Sequence, residues 1–347
     1  MILVTGGTGL IGSQLLLDLT ADGKRVRGLK RISSTMHVIN LVFRDHKDLL
    51  HQIDWVDGDV TDLCSLENAF DGVREVYHCA ALVSFHPSDR EHLLKINTEG
   101  TANMVNLALA FEIEKFCYVS STAALGKIRN DLLITENSSW KKSKHNSVYG
   151  ISKYGAEREV WRGMEEGLQA VIVNPSIVIG PGDLTSGSMA LFGEVKKGLK
   201  FYPVGSTGFV DVRDVTKCMM ALMEKSIFSQ RFIISSENIA YREVLNKVAD
   251  CFGMARPTLR AGKILNEIGW RVEAARKIFS RSKPMITKET ARNGQQHWRY
   301  SNEKIKIATG IEFIPINKAI EETCRVFKEG RLVTSTVDVA YLKVPAH

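Results

Sequence analysis

Short apolar runs alternate with longer stretches of helical periodicity along the first 180 residues. Runs at residues 2–5, 25–29, 53–56, 75–79, 116–120 and 170–173 have the length and composition of strands. Between them, residues 10–19, 89–111 and 149–164 repeat apolar positions at helical spacing, which predicts amphipathic helices. Several strand runs are apolar without interruption, as strands covered on both faces are, so the pattern predicts a parallel sheet between two helical layers. After Gly180-Pro181-Gly182 the rhythm breaks into loops and helices. One further strand is expected at 231–235, followed by a helix over 241–252. The expected fold is α/β, a doubly wound parallel sheet with a smaller, mostly helical C-terminal domain. The first domain takes residues 1–180 with a returning segment near 205–236. The second takes 181–204 and 237–330, and residues 331–347 lack a pattern and read as a tail.

The chain of 347 residues has room for about two folding units and a full hydrophobic core. With 44% hydrophobic and 24% charged residues, it is neither disordered, collagenous nor a coiled coil as a whole. No apolar run approaches the roughly 18 residues that would span a bilayer. The first strand run enters a glycine turn with no basic leader before it, so a soluble, unsecreted, cytoplasmic protein is expected. Six cysteines (64, 79, 117, 218, 251 and 324) stand singly, a pattern that suits a reducing compartment and implies no zinc site. The net charge of +7 sits in residues 256–310, which hold thirteen Lys/Arg against four Glu. No nucleic-acid recognition motif accompanies it, so no nucleic-acid partner is expected.

Chemistry begins at the turn Thr5-Gly6-Gly7-Thr8-Gly9-Leu10-Ile11-Gly12, between the first strand and the first helix. Gly6 allows a tight turn, Gly9 lets the backbone approach a pyrophosphate, and Gly12 permits close helix–strand packing. The helix end offers free N–H groups and a positive dipole to phosphates. Gly6, Thr8, Gly9, Leu10, Ile11 and Gly12 are thus candidate dinucleotide contacts. A second arrangement is Tyr149-Gly150-Ile151-Ser152-Lys153, whose phenol and ammonium share one helical face and can reach one ribose. A phenol near pKa 10 works as a proton donor and acceptor only if its anion is stabilised. The ammonium and an oxidised nicotinamide are expected to pull it towards the working range. Nine histidines form no metal-binding spacing, and His78, inside a strand, reads as a packed side chain.

The spacing G-x-x-G-x-x-G after Thr5 resembles the extended short-chain dehydrogenase/reductase superfamily, over Met1 to about Gly330. That resemblance implies a Rossmann fold. It implies that Asp59 and Val60 contact adenine and that Cys79-Ala80-Ala81 line the cofactor ribose. Asn97-Thr98-Glu99-Gly100-Thr101 resembles the central helix motif, in which Asn97 either orders a water beside Lys153 or is a structural amide. Asn174-Pro175-Ser176 and Phe209-Val210-Asp211-Val212-Arg213-Asp214 match two further signatures, with Asn174 and Ser176 expected at the cofactor. In Val119-Ser120-Ser121-Thr122-Ala123-Ala124-Leu125-Gly126, Ser121 takes the position of the carbonyl-orienting hydroxyl, with Thr122 as the fallback. Catalysis is therefore expected from Ser121, Tyr149, Lys153 and Asn97.

Members that use NAD carry an acid at the end of the second strand. Val26-Arg27-Gly28-Leu29-Lys30-Arg31 has none, and Lys30 and Arg31 could hold a 2′-phosphate, so NADPH is expected over NAD. Thr122 and Ala123 stand where sugar-nucleotide dehydratases place an Asp-Glu pair, which excludes that elimination. Ala81-Leu82-Val83-Ser84-Phe85 and Lys283-Pro284-Met285-Ile286-Thr287 look most like the dihydroflavonol-4-reductase-like branch. The expected reaction is reduction of a ketone, or oxidation of the alcohol, on a small, moderately apolar substrate. Val83, Ser84, Phe85, Ser121 and Thr122 would contact that substrate. The alternatives are a nucleotide-sugar or isoprenoid-linked sugar epimerase or dehydrogenase, and a non-catalytic dinucleotide sensor. The apolar stripe Ile264, Leu265, Ile268, Val272, Ala275 and Phe279 reads as a lid over the substrate, with membrane contact or an acidic substrate as other readings. A homodimer is compatible with this organisation, and no metal is expected.

Overall fold

The carboxyl end of the first strand lies at the middle of one parallel sheet. Its seven strands are β1 (Ile2–Thr5), β2 (Val26–Lys30), β3 (Asp54–Asp57), β4 (Glu75–His78), β5 (Lys115–Val119), β6 (Ala170–Pro175) and β7 (Gln230–Ile234). They are ordered β7-β6-β5-β4-β1-β2-β3, with every neighbouring pair parallel. This is a computed structural model, and it describes residues 1–126, 133–141, 143, 146–262 and 288–337. The chain winds outward through β2 and β3, returns to β4 beside β1, and then winds outward the other way. Such a reversal opens a crevice beyond the carboxyl ends of β1 and β4.

The uninterrupted apolar strands follow from the two covered faces. Ile2 and Val4 of β1 join Tyr77, Cys117, Val119, Val171 and Val173 in one core. Helix α1 (Leu10–Ala21) supplies Leu15, Leu16 and Leu19 to it. Leu3 points the other way, into a core with Val76, Phe116, Tyr118, Ala170 and Ile172. That face is covered by α2 (Gly100–Ala110) and α3 (Val148–Glu165), through Met104, Val105, Ala156 and Val160. Helix α4 (Val212–Glu224) packs beside α1 on the first face. A third core joins Phe192, Phe209 and Ile179 to α5 (Tyr241–Phe252) and α6 (Ile316–Val337).

The observed strands fall within a residue or two of the apolar runs, and Gln230–Ile234 returns to the main sheet beside Ala170–Pro175. Three features differ from the sequence expectation. Residues 89–111 are not one regular helix, because Leu94–Glu99 forms a π-helical segment between Arg90–Leu93 and α2. Hydrophobic spacing cannot register the extra backbone residue that a π segment inserts. A second, three-stranded sheet of Ile177–Ile179, Ser206–Asp211 and Glu237–Ala240 stands beside the main one, where the apolar runs predicted no strands. Finally, α6 runs through Val337, past the expected start of the tail. Val333, Thr334, Thr336 and Val337 are weak helix formers, which hid this end in the sequence. Residues 263–287, with the expected lid stripe and the 283–287 motif, lie outside the described residues.

One close approach seats α1 on the sheet. A Cβ at Gly12 would stand 2.2 Å from the Gly6 carbonyl oxygen, a backbone atom that cannot swing aside. Gly12→Ala should therefore cost about 1–3 kcal/mol of stability, the usual range for overpacking. Thermal unfolding of the two proteins measures that loss directly.

Candidate active site

The crevice at β1 and β4 is bordered first by the start of α1. Gly9 occupies the N-cap position, where it offers no side-chain cap, and the first turn of α1 holds no acidic residue. The leading N–H groups and the dipole are thus left for an external anion. This backbone arrangement fits the pyrophosphate of a dinucleotide, with Thr8, Gly9, Leu10, Ile11 and Gly12 around it.

A buried polar line joins the two strand ends. The Ala80 N–H donates to Thr5 Oγ1 at 3.1 Å, and Thr5 Oγ1 lies 2.7 Å from His78 Nδ1. His78 Nε2 lies 3.0 Å from Thr101 Oγ1, which donates to the Asn97 carbonyl at 2.6 Å. With the Thr101 proton committed to Asn97, Nε2–H must be the donor and Nδ1 the acceptor. Burial, with the Lys153 charge nearby, pushes the His78 pKa down to about 3. His78 is therefore a neutral packed imidazole that links β1, β4 and the π-helical segment.

Asn97 is fully engaged. Its Nδ2 donates to the Leu82 carbonyl and to Ser152 Oγ, both at 2.9 Å, and its Oδ1 accepts the Leu82 N–H at 2.7 Å. No hydrogen bond joins it to Lys153 among the described residues. The amide instead fixes the irregular segment that runs from Cys79 to Phe85. Cys79, Ala80 and Ala81 are half-buried along it. Val83 is exposed, Ser84 donates to Asp89 at 2.7 Å, and Phe85 meets the Tyr149 ring edge-on at 5.6 Å.

Ser147 caps α3, its hydroxyl accepting the Gly150 N–H at 2.8 Å, which sets Tyr149 in the first turn. A Cβ at Gly150 would lie 2.8 Å from the Ala123 carbonyl, so α3 packs directly on the turn that carries Ser121. Ser121 accepts the Ala123 N–H at 3.1 Å and stands close enough to the Tyr149 phenol to pull its pKa down. Thr122 is buried and stands instead beside the Tyr300 phenol, whose pKa it pulls down together with Thr207. The structure thus brings Ser121, and not Thr122, to Tyr149.

Lys153 is 2% exposed, and its Nζ donates to the Val119 carbonyl at 2.8 Å and the Tyr118 hydroxyl at 3.3 Å. Burial lowers its pKa to about 8, against the pull of Cys79 and Glu157. Burial also raises Tyr149 to about 12, with Ser121 pulling it down. Burial outweighs the pull of Ser121, and the Lys153 ammonium is turned to Val119. At neutral pH the phenol carries its proton.

Other expected contacts are more mixed. Asp59 accepts the Thr61 N–H at 2.9 Å in the turn after β3, and Val60 is buried under Gly100. Asn174 Nδ2 donates to the Ser121 carbonyl at 3.0 Å, while its Oδ1 and Ser176 Oγ are buried without partners. No acid stands within β2 at its end, but Lys30 meets one from the next strand. The register pairs it with Asp57 of the next strand, and the two form an ion pair. Reading one strand at a time could not show a carboxylate delivered from its neighbour. Arg31 is exposed, its guanidinium has no partner among the described residues, and its backbone is pinned by Ser34 at 3.2 Å.

Residues 2–234 match the NAD-dependent epimerase/dehydratase family. The chain belongs to that family. It is an NAD(P)-dependent short-chain oxidoreductase of the dihydroflavonol-4-reductase-like branch. A putative dihydroflavonol 4-reductase of Synechocystis sp. is 28% identical over 332 residues, spanning 94% of this chain and 94% of that protein. Cinnamoyl-CoA reductase 1 of Oryza sativa is 26% identical over 337 residues, 93% of this chain and 88% of that one. The crystal structure of gox2253 superposes with a TM-score of 0.77 at 27% identity, covering 95% of this chain and 98% of that one. Among the described residues no helix is long and apolar enough to cross a membrane, and no group of acidic, His and Cys side chains could hold a metal.

The sequence reading missed Glu157, Tyr118 and Thr101. Glu157 could have been found four residues past Lys153, on the same helical face. Ser121→Ala should lower turnover about 10²–10³-fold, as loss of a carbonyl-orienting donor does. Thr122→Val should mainly cost about 1 kcal/mol of stability through Tyr300. Turnover and thermal unfolding of both variants separate the roles, and the reverse outcome would move the function to Thr122.

Proposed function

We propose that this chain reduces a ketone, or oxidises the corresponding alcohol, on a small and moderately apolar substrate with NADPH. The observation that carries this reading is the placement of Ser121 beside the Tyr149 phenol, next to Phe85, with α3 carrying Lys153 one turn after Tyr149. The bound dinucleotide supplies or accepts the hydride. Ser121 orients the carbonyl oxygen, and Tyr149 delivers its phenolic proton to that oxygen as the carbon is reduced. Lys153 holds the ribose and stabilises the phenolate left behind. Thr122 and Ala123 supply no acid and base for eliminating water, and Phe85 lends the cleft an apolar wall. Reductases among the relatives support the same reading. The small-molecule substrate is best sought by following NADPH oxidation across ketones, flavanonols, steroids and sugar nucleotides.

Cofactor choice rests on Arg31, since Asp57 neutralises Lys30. A guanidinium fork on a 2′-phosphate contributes about 1.5–3 kcal/mol, or one to two decades in affinity. NADPH should bind more tightly than NADH, and Arg31→Ala should remove most of that advantage. Asp57→Asn should widen it by freeing Lys30 and removing a repulsive charge. Titration of both cofactors into the three proteins tests this, and equal affinities in the wild type would show Arg31 to be a solvated loop residue.

Tyr149→Phe should abolish turnover while leaving NADPH affinity nearly unchanged. Steady-state assay and cofactor titration check the two halves separately. Retention of most activity would remove the phenol from the mechanism.

A further inference from the structure

Behind the reacting groups lies a carboxylate that touches neither substrate nor cofactor. Glu157 sits one helical turn after Lys153 on α3 and is 1% exposed. Its Oε1 accepts the Ser120 hydroxyl at 2.6 Å and Asn174 Nδ2 at 2.5 Å. Its Oε2 accepts Arg231 Nη1 at 3.2 Å. Arg231 is held in turn by the Glu136 carbonyl at 2.6 Å and 2.9 Å. The orientation of Asn174 is forced, since a flipped amide would set its oxygen against both the Ser121 carbonyl and the Glu157 carboxylate. Every partner of Glu157 is a donor, which is the environment of an ionised carboxylate.

We infer that Glu157 is the positioning residue of this site: its buried charge keeps the Lys153 ammonium protonated, and its hold on Ser120 and Asn174 sets the strand end that presents Ser121. The first role follows from placement. Around Lys153 stand His78 at the end of β4, Cys79 just after it, Tyr118 of β5, and Tyr149 and Glu157 of α3, with Arg231 of β7 beyond Glu157. Of these, His78 is neutral, burial holds the Tyr118 and Cys79 protons on, and Tyr149 carries its proton at neutral pH. Burial raises the Glu157 carboxyl above its usual range, but Ser120, Arg231 and Asn174 all pull it back down, which leaves it as the negative charge in the set. The second role follows from the Asn174 bridge, one Nδ2 donating to Glu157 and to the Ser121 carbonyl.

This inference rests on the assignment of Lys153 and Ser121 above, and its test keeps the two apart. A cofactor that prefers the protonated lysine binds fully below the lysine pKa and loses affinity as pH rises through it. NADPH affinity, followed by nucleotide fluorescence between pH 6 and 10, should therefore weaken above about pH 8 in the wild type. In Glu157→Gln that limb should move to lower pH by about one unit or more, the scale of one adjacent charge. Glu157→Asp keeps the charge but shortens the reach to Ser120 and Asn174, so turnover should fall about tenfold or more with the binding limb nearly in place. Because Glu157→Gln could fail to fold, the Asp variant tests the anchoring role independently, and wild-type turnover in it would overturn that role. A limb that disappears in Lys153→Met but stays unmoved in Glu157→Gln overturns the charge role alone. A wild-type profile retained in Lys153→Met sinks the lysine assignment itself.

Discussion

An ammonium buried to 2% exposure is the constraint around which this site is organised. Removing such a charge from water is expensive unless hydrogen bonds and opposite charge replace the lost hydration. Here the replacements come from β5 and α3. Val119 and Tyr118 at the end of β5 accept or face the ammonium, with the Tyr118 ring 4.9 Å away, and Glu157 faces it from its own helix. Compensation is incomplete, so the lysine remains depressed to about 8. A lysine held close to the edge of deprotonation can respond strongly to a phenolate or ribose placed beside it.

Around that charge, hydrogen bonds remove freedom from side chains whose positions matter. The line from Ala80 through Thr5, His78 and Thr101 to Asn97 ties the two strand ends at the crevice to the π-helical segment. Asn97 then holds Leu82 by both backbone groups, so the segment leading to Phe85 cannot slide relative to Tyr149. A neutral imidazole suits this task, since protonation would add an uncompensated buried charge next to Lys153. The π segment supplies the one-residue offset that lets the Asn97 amide and carbonyl serve Leu82 and Thr101 together.

Electrostatics at the carboxyl end of β2 is settled across strands. Arg27 and Lys30 of β2 lie in register with Asp54 and Asp57 of β3, and each pair forms an ion pair. Exposed pairs of this kind contribute little stability. Their effect is on which cations stay free, and it leaves the Arg31 guanidinium without a partner among the described residues.

The sequence by itself determined the sheet, the glycine turn and the Tyr149–Lys153 face, because these depend on local periodicity and on residues a few positions apart. Continuous apolar runs demand a sheet buried on both sides, and glycines between a strand and a helix demand a backbone approach. Tertiary structure decided what depends on neighbours distant in the chain. It set Ser121 beside Tyr149 and Thr122 beside Tyr300, almost 180 residues later, and it paired Lys30 with Asp57 through strand register. It used the Asn97 amide on Leu82 and Ser152, and it brought Glu157, Asn174 and Arg231 together from three elements. Hydrophobic pattern records which face is buried; it does not record which polar groups meet there, since their partners are set only when the layers close.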